Sequence, residues 1–151
     1  MGRFTPKMSN QNKCKGVYYE QLFIAEALKR GLDVCLTLGD NLPYDVVIMN
    51  GAKSTRVQIK GTQGCGSEDY GKPRYQYTIA RGRKPCKVLN VEYDIFAGFA
   101  RHESGESWYI IPRKYLKFKT VKVYPDNFNS TGKYEKFKGA WSYLKSRSLK
   151  K

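Results

Sequence analysis

Four residues have the types and spacing to do chemistry together: Glu20, Asp45, Gln58 and Lys60. Asp45 ends the tripeptide Pro43-Tyr44-Asp45, and Gln58 and Lys60 flank Ile59 in the triplet Gln-Ile-Lys. Two carboxylates, an amide oxygen and an amine suit a site that holds a hard divalent cation and a water beside a phosphodiester. Asp45 and Gln58 offer oxygens of the kind Mg²⁺ takes, while Lys60 would orient the attacking water and offset charge building on the phosphorane. Metal-assisted phosphodiester hydrolysis is the chemistry these residue types indicate.

The elements that must position them are legible in the spacing. Residues 44–49 and 55–62 read as two strands joined by a turn that starts at Asn50-Gly51. Side chains alternate along a strand, so Gln58 and Lys60 share a face. Where Asp45 falls depends on register: a four-residue loop from Asn50 to Lys53 sets it opposite Gln58, a two-residue Asn-Gly loop opposite Arg56, and a three-residue loop on the other face. Residues 16–30 read as a helix ending at Gly31, a good C-cap residue. On it Glu20 shares a face with Val17, Ile24 and Ala27, opposite Glu26, Lys29 and Arg30. A carboxylate on an apolar face needs a cation, a metal or a cleft edge, because burying an unpaired charge is costly. Pairing with Lys60 alone is the plainer structural account.

Further strands are expected at 33–38, 75–80, 93–100 and 107–112, the last two forming a hairpin around Ser104-Gly105 and rich enough in apolar residues to be central. Residues 61–75 hold Gly61, Gly64, Gly66, Gly71 and Pro73 and read as a long loop, without the Gly-Lys-Ser/Thr ending of a nucleotide-binding loop. Tyr134, Phe137, Trp141 and Leu144 recur at helical spacing and predict an amphipathic helix packed on the sheet. Residues 1–15 read as a loose basic arm, and 16–151 as one domain with a basic, helical C-terminal region.

Composition narrows the partner. The chain has 151 residues and a formal net charge of +15, with 12 basic residues from 113 to 151 against only Asp126 and Glu135. Such an excess fits a polyanion, and nucleic acid before a membrane surface. No apolar run approaches the roughly 18 residues that cross a bilayer, so a cytoplasmic protein is expected. Cys14, Cys35, Cys65 and Cys86 are scattered, and one histidine, His102, accompanies them, which argues against zinc and against a serine or cysteine triad.

With these residues in place, the chain resembles the PD-(D/E)XK nuclease superfamily. The "PYD" tripeptide at 43–45, a short hairpin, the "QIK" triplet at 58–60 and Glu20 on a preceding helix follow that pattern across residues 16–112. Two positions depart from it: Tyr44 separates Pro43 from Asp45, and Gln58 stands where most members carry Asp or Glu. A Gln-x-Lys form is similar to that of the intron-encoded homing endonuclease branch. The resemblance implies an α/β fold with a restriction-endonuclease-like core, a mixed central β-sheet flanked by helices. It also implies Mg²⁺, with Asp45, Gln58, Ile59 and Glu20 as ligands, and a homotetramer, favoured over a dimer, that cuts double-stranded DNA at one long site. Holliday-junction resolvases and restriction enzymes share the core and are the near alternatives. A non-catalytic nucleic-acid-binding protein, its metal lost with the acid at position 58, is the distant one.

Contacts to DNA are expected mainly from residues 72–84. There Arg74, Gln76 and Thr78 alternate with Tyr75, Tyr77 and Ile79, so one face of a strand is polar and suited to reading base edges in the major groove. Lys72, Arg74, Tyr75, Gln76, Tyr77, Thr78, Arg81, Arg83 and Lys84 form this candidate surface, with Lys53 and Arg56 of the hairpin as further backbone contacts.

Overall fold

The computed structural model describes residues 8–39, 41–62, 67–69, 71–79 and 91–145. Its helix, α1, runs Met8–Lys29, and the strands that follow are β1 (Asp33–Leu36), β2 (Val46–Asn50), β3 (Lys53–Thr62), β4 (Ser67–Asp69), β5 (Lys72–Thr78), β6 (Ile95–His102), β7 (Gly105–Pro112) and β8 (Thr120–Val123). Among the described residues they form a five-stranded sheet in the order β1-β2-β3-β6-β7 and a three-stranded sheet in the order β4-β5-β8.

The β2–β3 hairpin pairs Val46 with Val57 and Asn50 with Lys53, leaving Gly51 and Ala52 at the turn. Gly51 takes φ 61°, a conformation glycine adopts without a Cβ penalty. Asp45 lies one step beyond this ladder, its amide donating to Val57 O over 2.9 Å, so the register sets it across from Gln58. β3 then pairs parallel with β6 along Val57–Thr62, which makes the sheet mixed. Parallel neighbours need a crossover, and the chain between them builds β4 and β5 on its way.

The central strands are buried on both faces. Ile95, Ala97 and Phe99 of β6 and Trp108 and Ile110 of β7 meet Tyr19, Phe23 and Ala27 of α1 on one side. On the other side Phe96, Ala100, Tyr109 and Ile111 meet Tyr75, Tyr77, Val121 and Val123. Among the described residues one helix therefore covers one face, and the small sheet covers the other.

Four further expectations change. The helix begins at Met8, so part of the predicted arm 1–15 is helical, and residues 1–7 lie outside the described residues. The buried stripe of α1 is Tyr19, Phe23 and Ala27, while Val17 is exposed; the aromatic rings outcompete the smaller valine for the core. Inside the predicted loop 61–75, β4 pairs with β5 through a turn at Gly71, φ 73°, while β3 ends at Thr62 as the strand 55–62 predicted. Tyr134, Phe137, Trp141 and Leu144 are buried as predicted, but on two 3-10 turns, Glu135–Phe137 and Trp141–Leu144. Gly139 at φ 64° breaks the helix between them, and its amide donates to Trp108 O over 2.7 Å. Beside it Lys138 bridges Tyr109, so β7 is the last strand of its sheet yet is capped along its edge.

His102 ends β6 between Asp126 and Ser107, with Nδ1 2.8 Å from the carboxylate and Nε2 2.8 Å from the hydroxyl. A histidine thus does find an acid and a serine, which spacing alone did not reveal. Ser107 is buried and Asp126 also accepts from Ser104 N and Oγ, so the arrangement clips the β6–β7 turn to the segment after β8.

Candidate active site

Among the described residues the β2–β3 ladder stops at Val46 and Val57, while β3 continues to Thr62 paired with β6. The edge of β3 that β2 no longer covers opens onto a cleft of about 520 Å³, lined by Glu20, Asp45, Gln58, Ile59 and Lys60. The sequence-predicted residues are thus brought to one place. β3 carries Gln58, Ile59 and Lys60, the residue before β2 is Asp45, and α1 brings Glu20 from above. Glu20 and Asp45 also share the wall of an adjoining cleft with Thr37, Leu42 and Tyr44.

Asp45 is held through both its carboxylate and its carbonyl. Its Oδ2 accepts from Ile59 N over 2.6 Å and from Gln58 Nε2 over 2.8 Å. Thr37 Oγ1 donates to its carbonyl over 3.0 Å and anchors the loop that leads into the hairpin. Burial pushes the Asp45 carboxyl above the usual carboxylate range, while the Ile59 amide and the nearby Lys60 ammonium pull it part of the way back. A carboxylate so placed gains from a cation.

The donor set fits a hard divalent cation. Gln58 Nε2 stands 2.8 Å from Asp45 Oδ2 and 3.5 Å from Ile59 O, so two oxygens converge where a positive group is welcome. Asp45, Glu20, Gln58 and the Ile59 carbonyl offer oxygen alone, the ligand type of the Mg²⁺ class. Among the described residues no cluster of three or more His, Cys, Asp or Glu exists, so a cation here relies on two carboxylates and neutral oxygens.

Residues 10–135 match the PD-(D/E)XK endonuclease family. The chain belongs to that family. Its fold is also that of a solved bacterial homing endonuclease, with a TM-score of 0.62 at 23% identity, over 87% of this chain and 91% of the other. Curated protein sequences yield no match.

For a PD-(D/E)XK endonuclease the surface that meets DNA matters next. On β5, Gln76 and Thr78 are exposed, and β8 places Lys122 beside Gln76 and Thr120 beside Thr78. Thr120 and Lys122 were not anticipated, although the alternation in Thr-Val-Lys-Val marks a half-buried strand. Arg74 holds Asp69 at 2.6 Å, and Tyr124 Oη donates to the same carboxylate over 2.8 Å. Lys72 lies 3.4 Å from Asn127 Oδ1 at the exposed end of the strand.

Two expected contacts are corrected by packing, and a third, Arg56, is half-exposed but engaged in an ion pair. The rings of Tyr75 and Tyr77 are 4% and 3% exposed, and Tyr77 Oη donates to Phe99 O, so neither can lie against a duplex. Arg56 is bound by Asp94, which accepts from its Nε over 3.1 Å and its Nη2 over 3.0 Å, so its guanidinium staples β3 to the start of β6. Lys53 is exposed at the hairpin tip, as a backbone contact requires. Arg81, Arg83 and Lys84 lie outside the described residues.

Proposed function

We propose that the protein is a site-specific double-stranded DNA homing endonuclease, acting with Mg²⁺ in intron homing. The observation that carries this reading is the convergence of Asp45, Gln58, Ile59, Lys60 and Glu20 on one cleft at the uncovered edge of β3. Likeness to a bacterial homing endonuclease over most of both chains supports the homing branch, and the proposal includes a homotetramer in the cytoplasm. No helix among the described residues is long and apolar enough to cross a membrane.

In this reading Asp45, the Ile59 carbonyl and Glu20 would hold Mg²⁺, joined by Gln58 once its amide turns over, exchanging the Nε2 that now faces Asp45 for its oxygen. The bound ion supplies charge for the phosphate oxygens and acidifies a water. Lys60, which lines the cleft, would orient the attacking water and offset negative charge as the phosphorus gains a fifth oxygen. Asp45 must be ionised to take the cation, and the Ile59 amide keeps its carboxylate aimed. Lys72, Arg74, Gln76, Thr78, Thr120 and Lys122 lie along one polar face, with Gln76 suited to adenine and the lysines to phosphates.

The neutral Gln58 favours one second reading, a DNA-binding protein without cleavage, because an amide gives a metal no charge. Sequencing of DNA ends after incubating genomic DNA with the protein and Mg²⁺, beside Lys60→Ala, separates the two. Ends that accumulate at few loci with the wild type alone are expected. Intact DNA in both samples despite tight binding would establish the non-catalytic reading.

A further inference from the structure

Glu20 and Lys60 come from different elements, and nothing in the backbone of either sets the distance between them. Their immediate neighbours do touch. Gly61 follows Val57 and Ile59 in the row of β3 that faces α1, and it is the position in that row with no side chain. The ring of Tyr19 lies in the space a Cβ on Gly61 would need, overlapping it at three ring carbons. The ring is itself held: it is 6% exposed, belongs to the α1 core cluster, and packs 5.6 Å from the Phe99 ring, centroid to centroid. It also lines the cleft that Glu20 and Lys60 share.

We propose that Tyr19 is a positioning residue for the nuclease site: its ring, seated on Gly61, sets how closely the helix bearing Glu20 approaches the strand bearing Lys60. The contact is one residue from each functional group. A methyl at 61 therefore acts on the site as a wedge between α1 and β3, lifting Glu20 away from Asp45 and Lys60. Removing the ring lets α1 settle at another height. This inference rests on the nuclease reading, and its test has an arm that does not depend on cleavage.

Gly61→Ala is the test variant, with Mn²⁺ binding followed by its electron paramagnetic resonance signal and duplex affinity measured in Ca²⁺. Cutting is expected to fall roughly 100-fold, the scale of a displacement of about 1 Å at a reacting centre. The Mg²⁺ needed for half-maximal cutting rises, Mn²⁺ binding weakens, and duplex affinity stays at the wild-type level. Adding Tyr19→Ala to Gly61→Ala removes the obstruction, so the double variant binds Mn²⁺ no more weakly than Tyr19→Ala alone and the two effects are not additive. Tyr19→Phe, which keeps the ring, restores what Tyr19→Leu loses.

Unchanged cutting and Mn²⁺ binding in Gly61→Ala would overturn the positioning role. So would a parallel loss of Mn²⁺ binding, duplex affinity and Tm, which marks a general packing contact. Should Gly61→Ala fail to fold, Tyr19→Leu decides by the same measurements, with wild-type metal response as the overturning result. A wild type that binds duplex and never cuts sinks the nuclease reading instead, and the Mn²⁺ arm still judges the contact.

Discussion

Gln58 donates its amide hydrogen to Asp45 Oδ2 over 2.8 Å, directly across the end of the β2–β3 hairpin. A glutamate at 58 would face that carboxylate with a second one. The glutamine instead neutralises nothing but satisfies the acceptor, which lets the site exist without a cation at modest cost. The same relationship makes the response of these two positions to substitution opposite in sign for stability and for cutting.

Asp45→Asn is expected to abolish cutting while leaving the fold equally or more stable at neutral pH. The folded carboxyl lies above its ordinary value of 3.8 because it is buried. A raised folded value favours the protonated group, so its stability contribution is present in acid and lost as pH rises through the folded value. Asn removes a carboxylate that is disfavoured at neutrality. The Tm difference between variant and wild type should be largest near pH 7 and vanish below the carboxylate range; a variant markedly less stable at pH 7 would contradict the burial argument.

Gln58→Glu should behave in the reverse way. It replaces a donor to Asp45 with a like charge, so the metal-free protein loses about 1–3 kcal/mol, the scale of a buried acceptor left without its partner. Added charge tightens the cation. Thermal melts with and without Mg²⁺ should show a larger metal-induced rise in Tm for the variant than for the wild type, and half-maximal cutting at lower Mg²⁺.

On the small sheet, Lys122 and Gln76 sit side by side but should fail differently. Lys122→Ala is expected to weaken every duplex alike and to lower the slope of log affinity against log salt by about 1. Gln76→Ala should leave that slope alone and relax preference at one base pair, at a cost of about 1–3 kcal/mol for the preferred site. Equal losses on cognate and unrelated DNA for both variants would remove the sheet from sequence reading.

Asp126 gives the fold an acid-sensitive clip. Burial opposes its ionisation, yet hydrogen bonds from Ser104 and from His102 hold its carboxyl at about 2, below the ordinary 3.8. A lowered folded value contributes stability above the unfolded value, which is lost as pH falls through the folded one. Asp126→Ala should therefore be less stable than the wild type at neutral pH, with the gap closing as the pH falls from about 4 to about 2. Calorimetry across that range reads the effect, and a constant gap would show that charge plays no part.

Much of the site was legible in the chain because its signals are local. Strand alternation put Gln58 and Lys60 on one face, whereas helical spacing grouped Glu20 with Val17, which is exposed, and Glu20 lies half-buried at the margin of the stripe Tyr19, Phe23 and Ala27. Lys53 at an exposed turn and the polar row Gln76 and Thr78 followed from the same periodicity. Tyr75 and Tyr77 show its limit: the period separates two faces of a strand, but burial removes one of them from any partner. The helical period at 134–144 was right about which side chains are buried and wrong about the backbone, because Gly139 is drawn to the edge of β7 by a bond to Trp108 that no local pattern encodes.

What the sequence determined by itself was residue chemistry and the periodic placement of side chains along each element. Only tertiary structure decided the rest, because it depends on groups far apart in the chain meeting. The register between β2 and β3 chose one of three possible places for Asp45, and the parallel pairing with β6 left the β3 edge open beside it. Asp94 gave Arg56 an ion-pair partner at the start of β6, and Asp126 and Ser107 gave His102 a structural role. The height of α1 above β3 was decided by a ring and a missing side chain, Tyr19 and Gly61, 42 positions apart. Such contacts carry no periodic trace, since steric fit across a core is a property of two surfaces and is written in neither segment alone.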